Sequence, residues 1–141
     1  MAKHLLLPLL AGLALGSESD PARIQKAEEL SWTASGSLPP GAEYHPIVED
    51  KKTGAIQSLA RFPSGYELGF HSHSHREIIV VLKGRLLFEL KGRSEILQPG
   101  SYVVIPAGTE HALKGKGWGE TWLLLSLDGA FDVKPAGSPT R

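Results

Sequence analysis

The chain has 141 residues, no cysteine and a formal net charge of zero, with 15 basic and 15 acidic side chains. This length fits a single hydrophobic core. The lack of cysteine excludes disulfides, thiolate metal ligands and a cysteine nucleophile, and the balanced charge argues against nucleic acid as a partner. Hydrophobic residues make up 41% of the chain and charged residues 21%, which favours a packed core over disorder.

The first sixteen residues, MAKHLLLPLLAGLALG, have the pattern of a secretory signal peptide. Lys3 supplies a positive charge, Leu5–Leu15 is an apolar run, and small residues near Gly16 suit cleavage before Ser17. The apolar run is shorter than the roughly 20 residues that span a bilayer. We therefore expect a periplasmic or secreted protein that keeps no stable membrane anchor after cleavage.

An N-terminal extension follows at residues 17–42. In it, Asp20 as N-cap and Pro21 at the first helical position predict a short helix that runs to about Leu30. The end of the extension is rich in serine, proline and glycine and is typical of a loop.

Short apolar segments separated by glycine and proline turns begin near residue 43. Seven of them are predicted strands: Gly54–Phe62, Glu77–Leu82, Arg85–Leu90, Ser94–Leu97, Ser101–Ile105, Glu110–Lys114 and Thr121–Leu127. Strands at this regular spacing indicate an all-β sandwich or barrel, which we place at residues 43–132. The remaining residues, 133–141, are rich in proline, glycine and serine and are predicted to be a flexible tail.

Four histidines lie between residues 71 and 111, three of them in the segment FHSHSHRE. In a strand, His71 and His73 share one face about 7 Å apart, close enough to hold one ion. Glu77 has the same parity, but a straight strand would place it about 20 Å from His71. The chain must therefore turn between His73 and Glu77 if both bind the same ion. His111, which follows a strand and a Pro-Ala-Gly turn, is the fourth candidate ligand.

These residues carry a resemblance to the cupin superfamily. The first cupin motif is matched by Gly65-(5)-His71-Ser72-His73-(3)-Glu77-(6)-Gly84, and the second by Gly100-(5)-Pro106-Ala107-Gly108-(2)-His111. The usual asparagine four residues after the last histidine is replaced by Gly115. The chain looks like small exported bacterial cupins, which are similar to the cupin domain of certain anti-sigma factors. The resemblance implies a single-domain jelly-roll barrel, also described as a double-stranded β-helix, and a homodimer.

The metal site that the resemblance implies consists of His71, His73, Glu77 and His111. Three imidazoles and one carboxylate suit a divalent transition metal such as Fe, Mn, Zn, Ni or Cu, and the residue types do not choose among them. The alternative is that these four side chains are ordinary polar residues at the mouth of a barrel.

Four further residues near the motifs are candidates for a supporting or pocket role: His75, Glu110, Arg76 and Tyr66. His75 could carry a proton beside the site or lie in solvent. Glu110 could act as a base beside His111, and Arg76 could orient a carboxylate substrate, but both also fit an ordinary surface position. Tyr66 fits either the core or a pocket wall.

Two classes of function follow. The first is a metal-dependent enzyme of the dioxygenase, decarboxylase or isomerase type, acting on a small oxygenated molecule, with a dioxygenase-like oxidoreductase as the leading class. The second is a non-catalytic module that binds or senses a metal or a small ligand. A cupin scaffold with an empty site, used for dimerisation or sugar binding, is a third interpretation.

Overall fold

Short β-branched and aliphatic runs separated by glycine turns form nearly all the regular structure of this protein. The computed structural model describes residues 21–137, and within them it contains one short 3₁₀ helix, Ala27–Glu29, and eleven strands. The strands are β1 (Thr33–Ala34), β2 (Glu43–Glu49), β3 (Ile56–Phe62), β4 (Glu67–Ser72), β5 (Glu77–Lys83), β6 (Arg85–Leu90), β7 (Arg93–Leu97), β8 (Tyr102–Ile105), β9 (His111–Lys116), β10 (Thr121–Leu127) and β11 (Lys134–Pro135).

The strands form two antiparallel sheets. A six-stranded sheet has the order β1-β2-β3-β10-β5-β8, and a five-stranded sheet has the order β11-β4-β9-β6-β7. Consecutive strands such as β4 and β5, or β9 and β10, lie in different sheets, so the chain crosses repeatedly between the two layers. This is a jelly-roll arrangement, and it confirms the predicted all-β fold.

The core lies between the inward faces of the two sheets. Strand β5 shows why: its burial alternates, so that Ile79 and Val81 point inward with Glu77 while their neighbours are more exposed. Leu123 from β10 in one sheet and Leu86 from β6 in the other are fully buried in the same cluster of apolar side chains. One core therefore joins both sheets, and Glu77 lies at its edge.

The structure extends the predicted strand pattern. Each of the seven predicted segments overlaps a strand, and β2 and β4 are additional strands within residues 43–132. Two further short strands lie in the flanking segments: β1 in the extension pairs with β2, and β11 in the segment predicted as a flexible tail pairs with Ser72 and His71 of β4.

The predicted helix ending near Leu30 is wrong for the part that the structure describes. Only Ala27–Glu29 is helical, as a single 3₁₀ turn, and Lys26 at its N-cap makes no side-chain capping bond. The turn buries none of its residues, so no apolar face stabilises a longer helix. The predicted signal peptide lies outside the described residues. Between residues 21 and 137, no helix is long and apolar enough to cross a membrane.

Two turn glycines with the same backbone conformation, Gly84 between the two sheets and Gly92 in the β6–β7 hairpin, should respond differently to substitution. Gly84 and Gly92 both have φ of +79°, but a Cβ on Gly84 would lie 2.5 Å from the Glu120 carbonyl oxygen, whereas nothing lies within 4 Å of one on Gly92. Gly92→Ala should lose about 1–2 kcal/mol of unfolding free energy, the cost of the left-handed backbone alone. Gly84→Ala should lose more, because the close contact adds to that cost. Chemical denaturation of both variants measures the difference, and equal losses would contradict the contact.

Candidate metal centre

Three strand ends bring the predicted ligands together at one end of the barrel. His71 lies near the end of β4 and pairs in register with His111, the first residue of β9. Glu77 is the first residue of β5, in the opposite sheet. His73 follows β4, and the chain bends at Ser74 and His75 before β5 begins. This is the turn between His73 and Glu77 that a shared site requires.

The three histidines form a compact cluster. His71, His73 and His111 each offer a ring nitrogen, and these nitrogens all lie within 4.8 Å of one another. The carboxylate oxygen Oε2 of Glu77 lies 3.3 Å from Nε2 of His73 and 3.4 Å from Nε2 of His111. The Glu77 carboxylate therefore contacts two of the three imidazoles of this cluster.

Backbone carbonyls orient all three rings. The Nδ1–H group of His71 donates to the Gly69 carbonyl at 2.7 Å, and that of His111 donates to the Thr109 carbonyl at 2.9 Å. The Nδ1–H group of His73 donates to the carbonyl of Asp132. Because a carbonyl only accepts hydrogen bonds, each neutral ring keeps its proton on Nδ1 and leaves a lone pair on Nε2. Histidine ligands of metals are usually held in this way.

The charges of the cluster also suit a cation. Burial lowers the pKa of His71 to about 4, so its ring is neutral at neutral pH. Burial raises the pKa of Glu77, but the nearby His111 and His73 rings outweigh that effect and lower it to about 2. Burial lowers the pKa of His73, but the Glu77 carboxylate outweighs that effect and raises it. The cluster therefore combines a carboxylate that is ionised at neutral pH with imidazole rings, and nitrogen and carboxylate donors suit a transition metal.

Two buried atoms of the cluster lack any hydrogen-bond partner. They are Oε2 of Glu77 and Nε2 of His111, both inaccessible to solvent. Buried polar atoms of folded proteins are nearly always paired, and an ion is one of the explanations for an exception. Since both atoms face the centre of the cluster, the residues present fit a bound divalent transition metal.

The candidate supporting residues beside the ligands make other contacts. His75 is half-buried, with its ring against Gly129, where an added Cβ would lie 2.4 Å from the ring. Arg76 is exposed and pairs with Asp128 at 2.9 Å. Both side chains therefore help to hold the segment after β10 against the loop that carries His73.

Glu110 and Tyr66 are also held away from the centre. Glu110 pairs with Lys91 at 2.8 Å and accepts a hydrogen bond from the backbone N–H of Gly137. Tyr66 lies just before β4 begins, at the far end of that strand from His71, and its hydroxyl donates to the Pro39 carbonyl at 2.9 Å. The contacts of Glu110 and Tyr66 stabilise chain segments, and we assign neither residue to the ligand set.

Sequence reasoning missed two residues that contact His73. Phe131 packs against its ring, with centroids 5.5 Å apart, and Asp132 supplies the carbonyl that accepts its Nδ1–H. A backbone carbonyl has no residue-type signature, so the role of Asp132 was not visible.

A small apolar cavity lies beside the cluster. Its volume is about 220 Å³, and its walls include Ser58 and Ile56 of β3 and Leu125 and Leu127 of β10. Leu127 is the register partner of Glu77, and Phe131 lies in the cavity wall as well as against His73. None of the four candidate ligands lines the cavity, and Leu127 and Phe131 are the wall residues that connect it to the cluster.

The sequence also matches a known family. Residues 58–125 match the family model of the cupin domain, and the domain that they form belongs to the cupin superfamily. This confirms the resemblance read from the two motifs. A search of curated protein sequences found no match to the chain. The similarity to the cupin domain of anti-sigma factors stays a prediction.

Solved structures with the same fold share little sequence with this chain. KdgF from a Halomonas species is 21% identical with a TM-score of 0.63, and the match covers 77% of this chain and 94% of that one. The polyketide cyclase RemF from Streptomyces resistomycificus is 16% identical with a TM-score of 0.66, covering 84% and 88%. A predicted oxalate decarboxylase from Thermotoga maritima is 17% identical with a TM-score of 0.65, covering 76% and 99%. These similarities show the cupin fold.

Proposed function

We propose that the protein is a metal-dependent enzyme that acts on a small oxygenated molecule, with chemistry of the dioxygenase, decarboxylase or isomerase type. The observation that carries this proposal is the cluster itself: three histidines with their Nε2 lone pairs turned to one centre, beside an ionised glutamate whose Oε2 has no partner. Structures of the same fold that are described as a polyketide cyclase and a predicted oxalate decarboxylase support the general class.

One group of residues would hold the metal, and a second group would bind the substrate. His71, His73, His111 and Glu77 would hold the ion, which supplies a Lewis acid for an oxygen atom of the substrate. The apolar cavity beside Leu127 would take the carbon skeleton, and Phe131, between the cavity and His73, would exclude water from the reacting end.

A turnover screen of metal-loaded protein tests this function. The purified protein would be reconstituted separately with Fe, Mn, Ni, Cu and Zn and offered enediol, flavonol and oxalate-like compounds. Oxygen uptake and product formation would be recorded. We expect turnover with at least one pair of metal and substrate. Metal-loaded protein that binds these compounds but converts none of them would contradict an enzymatic role.

The burial of the cluster favours a second candidate function. Each of the four ligand side chains is at most 4% exposed. A substrate must displace surrounding side chains to reach such a centre, whereas a structural or sensing metal needs no open path. In this alternative the protein is a non-catalytic module that binds a metal or a small ligand. Tight binding without turnover in the same screen would support it.

We also propose that the protein is exported to the periplasm or secreted. The support is the signal-peptide pattern of residues 1–16. The N-terminus of protein isolated from its native compartment tests this. A chain that begins at Ser17 is the expected result, and a chain retained in the cytoplasm with residues 1–16 intact would overturn the proposal.

A second copy of this chain is the proposed partner. The resemblance to cupins implies a homodimer, and the outward face of the six-stranded sheet offers apolar surface for one. Leu82 of β5 and Tyr102 and Val104 of β8 are 45%, 69% and 50% exposed on this face, and β8 is an edge strand. Edge strands and exposed apolar patches are typical interaction surfaces.

Tyr102→Glu should convert a dimer into a monomer, because a charge at the centre of this apolar face would be desolvated on association. Sedimentation velocity of the two proteins measures the change. Trp118→Glu is the matched control, since Trp118 is fully exposed in the turn before β10 and should leave the mass unchanged. A monomeric wild type, or a Tyr102→Glu variant that still dimerises, would overturn this interface.

A further inference from the structure

The segment that follows β10 docks onto the loop that carries His73. Asp128 pairs with Arg76, and Gly129 lies under the ring of His75. Asp132, at the end of the same segment, makes the contacts nearest to the cluster. The loop between β4 and β5 is therefore held along its length by residues about 55 positions further along the chain.

Asp132 makes three hydrogen bonds to two successive residues of that loop. Its Oδ1 accepts from the backbone N–H of Ser74 at 2.8 Å, and its Oδ2 accepts from the Ser74 hydroxyl. Its backbone carbonyl accepts from Nδ1–H of His73. The side chain of Asp132 thus holds the loop at Ser74, and its backbone carbonyl orients the imidazole of His73.

This arrangement distinguishes His73 from the other two histidines. His71 and His111 donate to the carbonyls of Gly69 and Thr109, each two residues earlier in the chain, so their orientation depends on local backbone. His73 lies beyond the end of β4, and its carbonyl partner is 59 residues away in sequence. Its orientation depends on a tertiary contact.

We propose that Asp132 is a positioning residue for the metal centre, which aims Nε2 of His73 at the ion by clamping Ser74 and accepting the Nδ1–H of His73. This inference rests on the metal-binding function proposed above. It assigns to the segment after β10 a role in the affinity and geometry of the site, although Asp132 is not one of the clustered donors.

The experiment measures metal affinity and ligand geometry in variants of Asp132. Zinc and cobalt affinities would be measured by competition with a chromophoric chelator, and the absorption bands of the cobalt protein would report the geometry of its ligands. We expect Asp132→Ala to weaken affinity about 10- to 100-fold, the usual range for partners that orient a histidine ligand. Asp132→Asn, which keeps an oxygen for the Ser74 N–H, should recover part of this loss. Ser74→Ala, a milder change that removes only the hydroxyl contact, should weaken affinity less than Asp132→Ala.

Glu67→Gln is the control, because it removes a surface carboxylate that pairs with Lys114 at the start of β4, the far end of that strand from His71. Its affinity should stay within about twofold of wild type. Imidazole ¹⁵N spectra of the zinc proteins provide a readout that general destabilisation would not give: in the Asp132 variants the signals of His73 should shift while those of His71 and His111 stay in place.

The outcomes separate the two proposals. A wild type that binds neither zinc nor cobalt would refute the metal centre and, with it, the role of Asp132. A wild type that binds metal while Asp132→Ala stays within twofold in affinity and keeps its cobalt spectrum would refute the role of Asp132 alone. Equal shifts of all three histidine signals in Asp132→Asn would also refute it, since the effect would then not pass through His73.

Discussion

Replacement of His111 by alanine is expected to reduce bound metal from about one ion per chain to an undetectable level. His111 is fully buried, its Nε2 has no hydrogen-bond partner, and its ring packs against both His71 and Phe88. Its loss removes one of the three clustered nitrogen donors. Elemental mass spectrometry after reconstitution and gel filtration measures the change.

His45→Ala is the control for this experiment. His45 is a half-buried histidine of β2 whose Nδ1–H donates to the Ser31 carbonyl at 2.8 Å, and it lies outside the cluster. It should keep the metal content of the wild type. Bound metal that persists in His111→Ala, with the circular dichroism of both variants unchanged, would show that the ion binds elsewhere on the chain.

The grouping of the candidate ligands was predictable from their spacing in the sequence, because each one lies at or near the end of a strand. Two histidines two residues apart share a strand face, and the need for a turn before Glu77 followed from strand geometry alone. The structure supplies that turn at Ser74 and His75. The jelly-roll fold was predictable for a similar reason, since alternating apolar segments and glycine turns repeat along the chain.

The contacts that orient the site were not predictable in the same way. The pairing of His71 with His111 and the bond from His73 to Asp132 join residues 40 and 59 positions apart, and no local pattern specifies either one. The strands β1 and β11 are equally hidden, because two residues cannot show a period of two and these strands depend on a partner that is already in place. The failed helix prediction has the opposite cause: a capping signal was present, but the segment has no face to bury.

Leu123→Ala is expected to lower the free energy of unfolding by about 3–5 kcal/mol, the range for a leucine truncated in a well-packed core. Leu123 is fully buried on β10, which pairs with β3 on one side and β5 on the other. Its side chain therefore packs at the centre of the six-stranded sheet, where the surrounding strands cannot collapse into the space it leaves. Urea denaturation of the metal-free protein measures the loss.

Leu82→Ala makes the same chemical change on the outward face of the neighbouring strand β5, where Leu82 is 45% exposed. It should cost less than about 1 kcal/mol, because nearly half of its surface is already in water. Similar losses for the two variants would contradict the assignment of the inward faces of β5 and β10.

Under conditions in which it is folded, Leu123→Ala should still bind metal with wild-type stoichiometry, since Leu123 contributes no donor to the site. This separates the stability of the barrel from the assembly of its metal centre, which depends on the strand ends and on the segment after β10.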